Sequence, residues 1–213
     1  MTADYDNVLA KMAASELYVD YGAGLEQLEA ERTRAKEMLY DFAHTRPSAV
    51  EDRDRLLRGL LGSAGERIWV EPPLAASYGS RTHVGDDFYA NFNLVLVDDV
   101  EIRIGNRVMI APNVTITTTG HPVDPELRRG GTQFSAPVTI EDDVWIGSNV
   151  SIMPGVTIGA GSVIGAGSVV TKHVPPRVVA AGSPCRVLRS IGAEDASFTF
   201  RHPETLEVPA TPS

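Results

Sequence analysis

Between Ile140 and Thr171 the chain advances in steps of six residues: IEDDVW, IGSNVS, IMPGVT, IGAGSV, IGAGSV, VT. An aliphatic residue opens every block, at Ile140, Ile146, Ile152, Ile158, Ile164 and Val170, and the fifth place holds Val144, Val150, Val156, Ser162 and Ser168. An α-helix cannot use this spacing. Six steps of about 100° swing a side chain far from its starting direction, and the Gly and Pro in most blocks would each cost about 1 to 3 kcal/mol in a helix interior. The period belongs to a parallel β-helix, in which each block is a short strand plus a corner and three blocks close a triangular coil. The block-opening aliphatics then stack inside the prism. Gly, Asn and Asp fall where the chain turns, since they tolerate positive φ at low cost.

The same spacing occurs earlier. Val84, Ala90 and Leu96 are six apart, with Phe88 and Leu94 in fifth place; Ile104, Ile110 and Ile116 follow, with Val108 and Val114. Two extra residues, Asp98-Asp99, separate these runs. A coil that absorbs them must bulge, and bulges re-aim side chains at functional sites, so both aspartates are marked against the plain alternative of solvated turn acids. After Ile116 the repeat stops over residues 117–137, TTTGHPVDPELRRGGTQFSAP, and resumes in phase at Ile140, a multiple of six later. A loop this long inside a repeat domain is usually functional or disordered. It is expected to be an extended arm that reaches a neighbouring subunit.

Residues before the coil lack the period and read as three helices. One runs from Thr2 to about Leu17, a second from about Leu25 to His44, ended by Arg46-Pro47. The third opens with Ser48 and has Glu51 three places on, the spacing of a capping box, and runs to Gly62. Short amphipathic helices need another surface, here the side of the coil or a bound ligand. Trp69-Val70-Glu71-Pro72-Pro73 starts the coil, and Val174-Pro175-Pro176 ends it, followed by a short turn or helix carrying Arg186 and Arg189. The expected organisation is therefore mostly β: an N-terminal helical segment over 1–68, a β-helix over 69–190 with its loop over 117–137, and a tail over 191–213, docked through Phe198 and Phe200 if at all.

Composition limits the partners. A net charge of −9 over 213 residues argues against nucleic acid, and no apolar run approaches the roughly 20 residues needed to span a bilayer. The single cysteine, Cys185, cannot form a staple within the chain, and no basic stretch followed by an apolar run opens the sequence, so the expected location is the cytoplasm. The charge is unevenly spread. From Val144 to Ala193 there is no acid, while Lys172, Arg177, Arg186 and Arg189 fall there. That segment is either a solubilising face or a phosphate-binding site, since Arg and Lys are the usual partners of polyanions.

Of five histidines, His44 and His202 lie in a helix and the tail, His83 in a coil turn and His173 beside Lys172. His121 differs, because Gly120 and Pro122 flank it at the start of the long loop and leave its imidazole projecting. Loops on rigid scaffolds are where catalytic residues concentrate.

The stretches YANFNLVLVDD (89–99), IAPNV (110–114), TGHPV (119–123), the run from Val144 to Lys172, PPRVVAAGSPCRV (175–187) and EMLYDFAHTRPS (37–48) resemble the galactoside and maltose O-acetyltransferases. This resemblance implies a left-handed winding, which the period alone does not give. It also implies a homotrimer with active sites between prisms, and acetyl-CoA as co-substrate. His121 would be the general base that takes a proton from a sugar hydroxyl as it attacks the thioester directly, chemistry suited to imidazole. By matching position, Asp20, Ser77, Asn91 and Asp99 would bind the acceptor. Trp145, Ser148, Ala166, Thr171, Lys172, Arg186 and Arg189 would hold the cofactor. The N–H groups near Gly147-Ser148 are candidate oxyanion donors. GGTQFSAP offers no acid to partner His121, and His173 stands where an acid is common, which adds potential positive charge near Lys172.

Alternatives share the fold. A xenobiotic or antibiotic O-acetyltransferase would change only the acceptor, although such relatives generally lack the helical start. A metal-dependent hydratase similar to the gamma-type carbonic anhydrases would need His83, His121 and His173 to converge on zinc across a subunit boundary; no metal is expected. A non-catalytic trimeric scaffold would leave the TGHPV loop without purpose.

Overall fold

The computed structural model describes residues 2–197; Phe198, Phe200 and His202 lie outside them. Three parallel sheets form the walls of a triangular prism. The first wall stacks Ser63–Ala64, Thr82–Val84, Ile102–Ile104, Val138–Ile140 and Thr157–Ile158. The second stacks Trp69–Val70, Tyr89–Ala90, Met109–Ile110, Trp145–Ile146, Val163–Ile164 and Val178–Ala181, with Arg186–Ser190 added antiparallel at its end. The third stacks Leu74–Ala76, Leu94–Val97, Thr115–Thr117, Ser151–Ile152 and Val169–Val170. Strands this short carry little stability alone. The interior columns supply it, for Ile110, Ile146 and Ile164 stack in register with complete burial, as do Ile116, Ile152 and Val170. Each such side chain contributes roughly 1.5 to 3 kcal/mol.

Corners are built as the pattern demands, with a twist. Asp87, Asp143, Asn93, Asn113 and Asn149 take positive φ, but so do Arg67 and Arg107. These arginines sit in a ladder: Arg67 clamps Asp87 and Arg107 clamps Asp143, each through two N–H···O bonds between successive coils.

The coils are not all one length. Val84 to Ile104 is 20 residues, Ile140 to Ile158 is 18, and Ile164 to Ala180 is 16. The extra pair at Asp98-Asp99 thus has a counterpart one coil earlier, within Ser77–Arg81, because Ala76 pairs with Leu96 and His83 with Arg103. Where the coil shortens, the buried fifth-place serines replace valine for a reason: Ser162 Oγ donates to Pro175 O and Ser168 Oγ to Gly165 O, and they accept from the N–H of Val178 and Gly182.

Helices α1 (Thr2–Ala13), α2 (Glu26–His44) and α3 (Val50–Leu60) precede the coil. Helix α3 corrects the capping expectation. Its N-cap is Ala49 with no side-chain bond, because Ser48 lies in the turn closed by Ala49 N–H to Arg46 O. Leu39, Phe42, Leu57 and Leu60 from α2 and α3 close the open end of the prism and join its core. Val8, Met12, Tyr18, Leu25 and Leu28 form a second cluster around Tyr78, which fixes α1 and the start of α2 against the coil's widened corner.

Residues 117–137 are a hairpin, not an extended arm. Thr119–Gly120 pairs antiparallel with Phe134–Ser135, and α4 (Pro125–Arg128) crosses the tip, capped by Asp124 Oδ1 accepting from the N–H of Glu126 and Leu127. After the coil, Arg186 and Arg189 lie on a strand rather than a helix.

Candidate active site

The corner where the third wall passes to the first collects the first set of functional candidates. Ser77, Asp99, the base of the hairpin, Thr171 and Lys172 all follow in-register strands of the third wall. Both aspartates of the extra pair are buried, so neither is a solvated turn acid. Asp98 accepts hydrogen bonds from Tyr78 N–H at 2.8 Å and Thr82 Oγ1 at 3.0 Å, tying the two bulged corners together. Burial outweighs these bonds and pushes its carboxyl up to about 6. Asp99 accepts from Thr119 Oγ1, and burial raises its carboxyl as well.

The hairpin presents His121. Gly120 lies so close to the Phe134 ring that an added Cβ would stand 2.7 Å from it and force the ring to shift. The imidazole is exposed, and its Nδ1 is 2.8 Å from the backbone oxygen of Thr132. A carbonyl only accepts, so Nδ1 carries the proton and Nε2 is left with a free lone pair. GGTQFSAP, which has no acid, thus supplies the orienting group as a main-chain carbonyl, that of Thr132, in place of a carboxylate.

Asp20 reaches this corner from the helical segment. Arg32 of α2 donates to Asp20 Oδ2 at 2.7 Å, to Asp20 O at 3.1 Å and to Tyr78 OH at 2.8 Å. Arg81 stacks on the Tyr78 ring at 3.8 Å and donates to Asp99 O. Burial raises the Tyr78 phenol. Sequence reading missed Tyr18, Arg32, Tyr78, Arg81, Thr119 and Ser135. A 20-residue spacing shared by Trp69, Tyr89 and Met109 was the available signal that two corners, not one, are enlarged here.

The remaining candidates lie on another edge, where the second wall passes to the third. Asn91, Ala111, Gly147, Gly165 and Ala181 follow in-register strands, and Arg186 pairs with Ala181 at the end. At about 4.8 Å per coil this column runs about 19 Å with no large side chain between Asn91 and Arg186. Ser148 and Ala166 stand one residue further round, and Gly167 N–H donates to Ser148 O. Trp145, half-exposed, projects from the adjoining wall between Met109 and Val163. A surface of backbone and small residues ending in guanidinium groups suits a slender polyanionic ligand.

Within one chain, then, Asn91, Ser148, Ala166 and Arg186 are not brought to His121. Three expectations change. Gly147 N–H is consumed by Ile164 O at 2.8 Å and is no oxyanion donor. His173 is turned to the main chain, its Nδ1 accepting from Thr157 N–H at 2.9 Å. Arg189 is already clamped, with Asp195 Oδ2 at 2.7 Å and Oδ1 at 2.8 Å, which pulls the Asp195 carboxyl down to about 2.

Each histidine a zinc site would need is engaged apart from the others, His83 lying between Ser63 and Glu101. Among the described residues no three His, Cys, Asp or Glu groups are placed so that they could hold a metal ion, and no helix is long and apolar enough to cross a membrane.

Comparison with known proteins follows the same outline. The family described as "Bacterial transferase hexapeptide (six repeats)" matches residues 137–172, and the "Maltose acetyltransferase hexapeptide capping motif" matches residues 11–65. The chain is 52% identical to galactoside O-acetyltransferase of Escherichia coli (strain K12), over 90% of this chain and 93% of that protein. A solved galactoside acetyltransferase in complex with coenzyme A superposes with a TM-score of 0.87 at 50% identity, covering 91% of this chain and 96% of the other. A maltose O-acetyltransferase from Clostridium difficile 630 gives 0.82 at 45% identity, covering 85% and 96%.

Proposed function

The chain belongs to the galactoside and maltose O-acetyltransferase family of hexapeptide-repeat enzymes, and from that membership we propose that it acetylates a hydroxyl of a sugar, using acetyl-CoA and His121 as general base. The bond from Nδ1 to Thr132 O carries this reading, because it leaves the lone pair of Nε2 to accept a proton. The acceptor hydroxyl gives its proton to Nε2 while its oxygen attacks the thioester carbonyl. The same proton passes from His121 to the departing thiolate as the tetrahedral intermediate collapses, so the products are an acetyl ester and free CoA. Base catalysis of this kind contributes about two to four orders of magnitude. Ser148 N–H is the candidate oxyanion donor.

Asp20, Ser77 and Asp99 on the corner of His121, joined by Asn91, give an uncharged polyol several hydrogen-bonding partners. Trp145, Ser148, Ala166 and Arg186 line the path for the pantetheine arm, and Arg186, Arg189, Thr171 and Lys172 meet its phosphates. These residues occupy two edges of one prism. A homotrimer, in which the base-bearing edge of one subunit faces the smooth edge of the next, unites them. One buried cysteine and an acyl-CoA substrate suit a reducing compartment, the cytoplasm.

A xenobiotic acceptor is the weaker reading. The helical segment delivers Asp20 and Arg32 into the acceptor corner, hydrogen-bonding groups that suit a polyol. An acceptor screen decides between them: free thiol release from acetyl-CoA is followed with galactosides, maltose, glucose and antibiotic alcohols, using wild type and His121→Ala together. Turnover with a sugar that vanishes in the variant supports the proposal; turnover only with antibiotics, or undiminished turnover in the variant, refutes it.

A further inference from the structure

Three buried or half-buried hydroxyls lead from the helical segment to Asp99. Tyr18 OH lies 2.5 Å from Ser135 Oγ, Ser135 Oγ lies 3.0 Å from Thr119 Oγ1, and Thr119 Oγ1 meets Asp99 Oδ2. The proton order is fixed by counting. An ionised carboxylate only accepts, so Thr119 gives its one hydroxyl proton to Asp99; Ser135 must then donate to Thr119, and Tyr18 to Ser135. Every bond points the same way. Burial pushes the Tyr18 phenol up to about 12, so the terminal donor keeps its proton.

The chain also joins the parts of the site. Thr119 and Ser135 are cross-strand partners at the base of the hairpin that bears His121. Tyr18 exchanges both main-chain bonds with Gln133, each at 2.9 Å, next to the Thr132 whose carbonyl holds the imidazole. We propose that Tyr18, Ser135 and Thr119 form a one-way donor chain, and that Thr119 is a positioning residue that keeps Asp99 ionised and turned so that its Oδ1 is free for an acceptor hydroxyl.

A proton on Asp99 Oδ2 would reverse the chain and require Tyr18 OH, at the far end, to find a new acceptor among its apolar neighbours Met12, Leu25 and Leu28, while a proton on Oδ1 would keep the order but weaken the Thr119 bond, which is stronger to the charged carboxylate. The arrangement therefore opposes the burial that favours the neutral acid. Other charges facing Asp99 are Asp20, Arg32 and Arg81, with Asp98 its sequence neighbour, and Tyr78 and Tyr18 pack alongside. None of them can substitute for Thr119, since Arg81 donates to the main-chain oxygen of Asp99 and Arg32 to Asp20.

The inference rests on Asp99 binding the acceptor, and the test separates the two claims. Kinetics with the acceptor identified by the screen are measured for Thr119→Val, Thr119→Ser, Tyr18→Phe and Asp99→Asn. Removing a donor to a charged group costs a factor of about ten or more, so Thr119→Val raises acceptor KM by about that factor with acetyl-CoA KM unchanged. It also moves the acidic limb of kcat/KM to higher pH. Thr119→Ser restores both. Tyr18→Phe, which keeps the ring in its apolar seat, shifts both in the same direction by a smaller factor and tests the chain if the valine disturbs the hairpin. If Thr119→Val changes both KM values alike, lowers only thermal stability, or is not rescued by serine while Asp99→Asn still raises acceptor KM, the donor chain is wrong. If Asp99→Asn leaves acceptor KM untouched, the acceptor assignment itself falls.

Discussion

The Nδ1 atom of His121 lies 2.8 Å from the carbonyl oxygen of Thr132, 11 residues along the same loop. An orienting carbonyl fixes the tautomer as a carboxylate would, yet it has no charge and cannot take the proton. Replacing His121 by Ala should lower kcat by about two to four orders of magnitude. The ring is exposed, so the melting temperature should hold. Thr132→Ala leaves the carbonyl in place and should retain activity within about twofold; initial rates and thermal melts on both variants check the pair.

If the two edges meet only between subunits, inactive variants of each should rescue one another. Co-assembling His121→Ala with Arg186→Glu creates some interfaces where both halves are intact, and random mixing in a trimer yields about one quarter of wild-type sites. Each variant alone should stay inactive. Activity of the mixture equal to the sum of the separate variants would mean that each chain holds a complete site.

Asp98 makes stability depend on pH. Burial pushes its carboxyl up to about 6 in the fold, above the ordinary aspartate value of about 3.9. The raised value means that its contribution is fully present below about pH 4, where both states are protonated, and is lost as pH rises through about 6. The loss is on the order of 3 kcal/mol. In Asp98→Asn one amide face still accepts from Tyr78 N–H and the other can donate to Thr82, so denaturant unfolding should show a shallower fall between pH 4 and 6. Parallel pH curves for the two proteins would remove Asp98 as the cause.

The Arg189–Asp195 clamp is exposed, so it adds little to folding, but it engages one donor edge of the guanidinium. Asp195→Asn should lower acetyl-CoA KM by about two- to fivefold at low salt, with the gain shrinking as ionic strength rises. Acceptor KM should not move. An unchanged cofactor KM at low salt would show that Arg189 does not meet the nucleotide.

What could be read from the sequence follows from how each feature is encoded. The prism interior was legible because it is a local repeat: Ile140, Ile146, Ile152, Ile158 and Ile164 announce their columns without reference to anything distant. Even the switch from Val156 to Ser162 and Ser168 carried information, since those hydroxyls cap the shortened coil. The polar network around Asp99 was not legible. Tyr18 and Ser135 are 117 residues apart, and Arg32 and Tyr78 are 46 apart, so no periodic signal links them. The Ser48–Glu51 cap failed for a related reason: the turn at Arg46 drew Ser48 out of the capping position. Asp195 was unassigned because it reaches Arg189 only through the short 3-10 turn Ala193–Ala196, which no periodic signal announces.

The unequal coils have a bearing on how such an enzyme can change its diet. Two residues were inserted at neighbouring corners, and a whole hairpin at the next, while Val84, Ile104, Ile140 and Ile158 kept their vertical alignment. Lengthening or trimming a vertex leaves the scaffold's mechanical spine untouched, so substrate preference and folding can drift on nearly separate schedules. A new sugar would be accommodated by editing vertices one at a time.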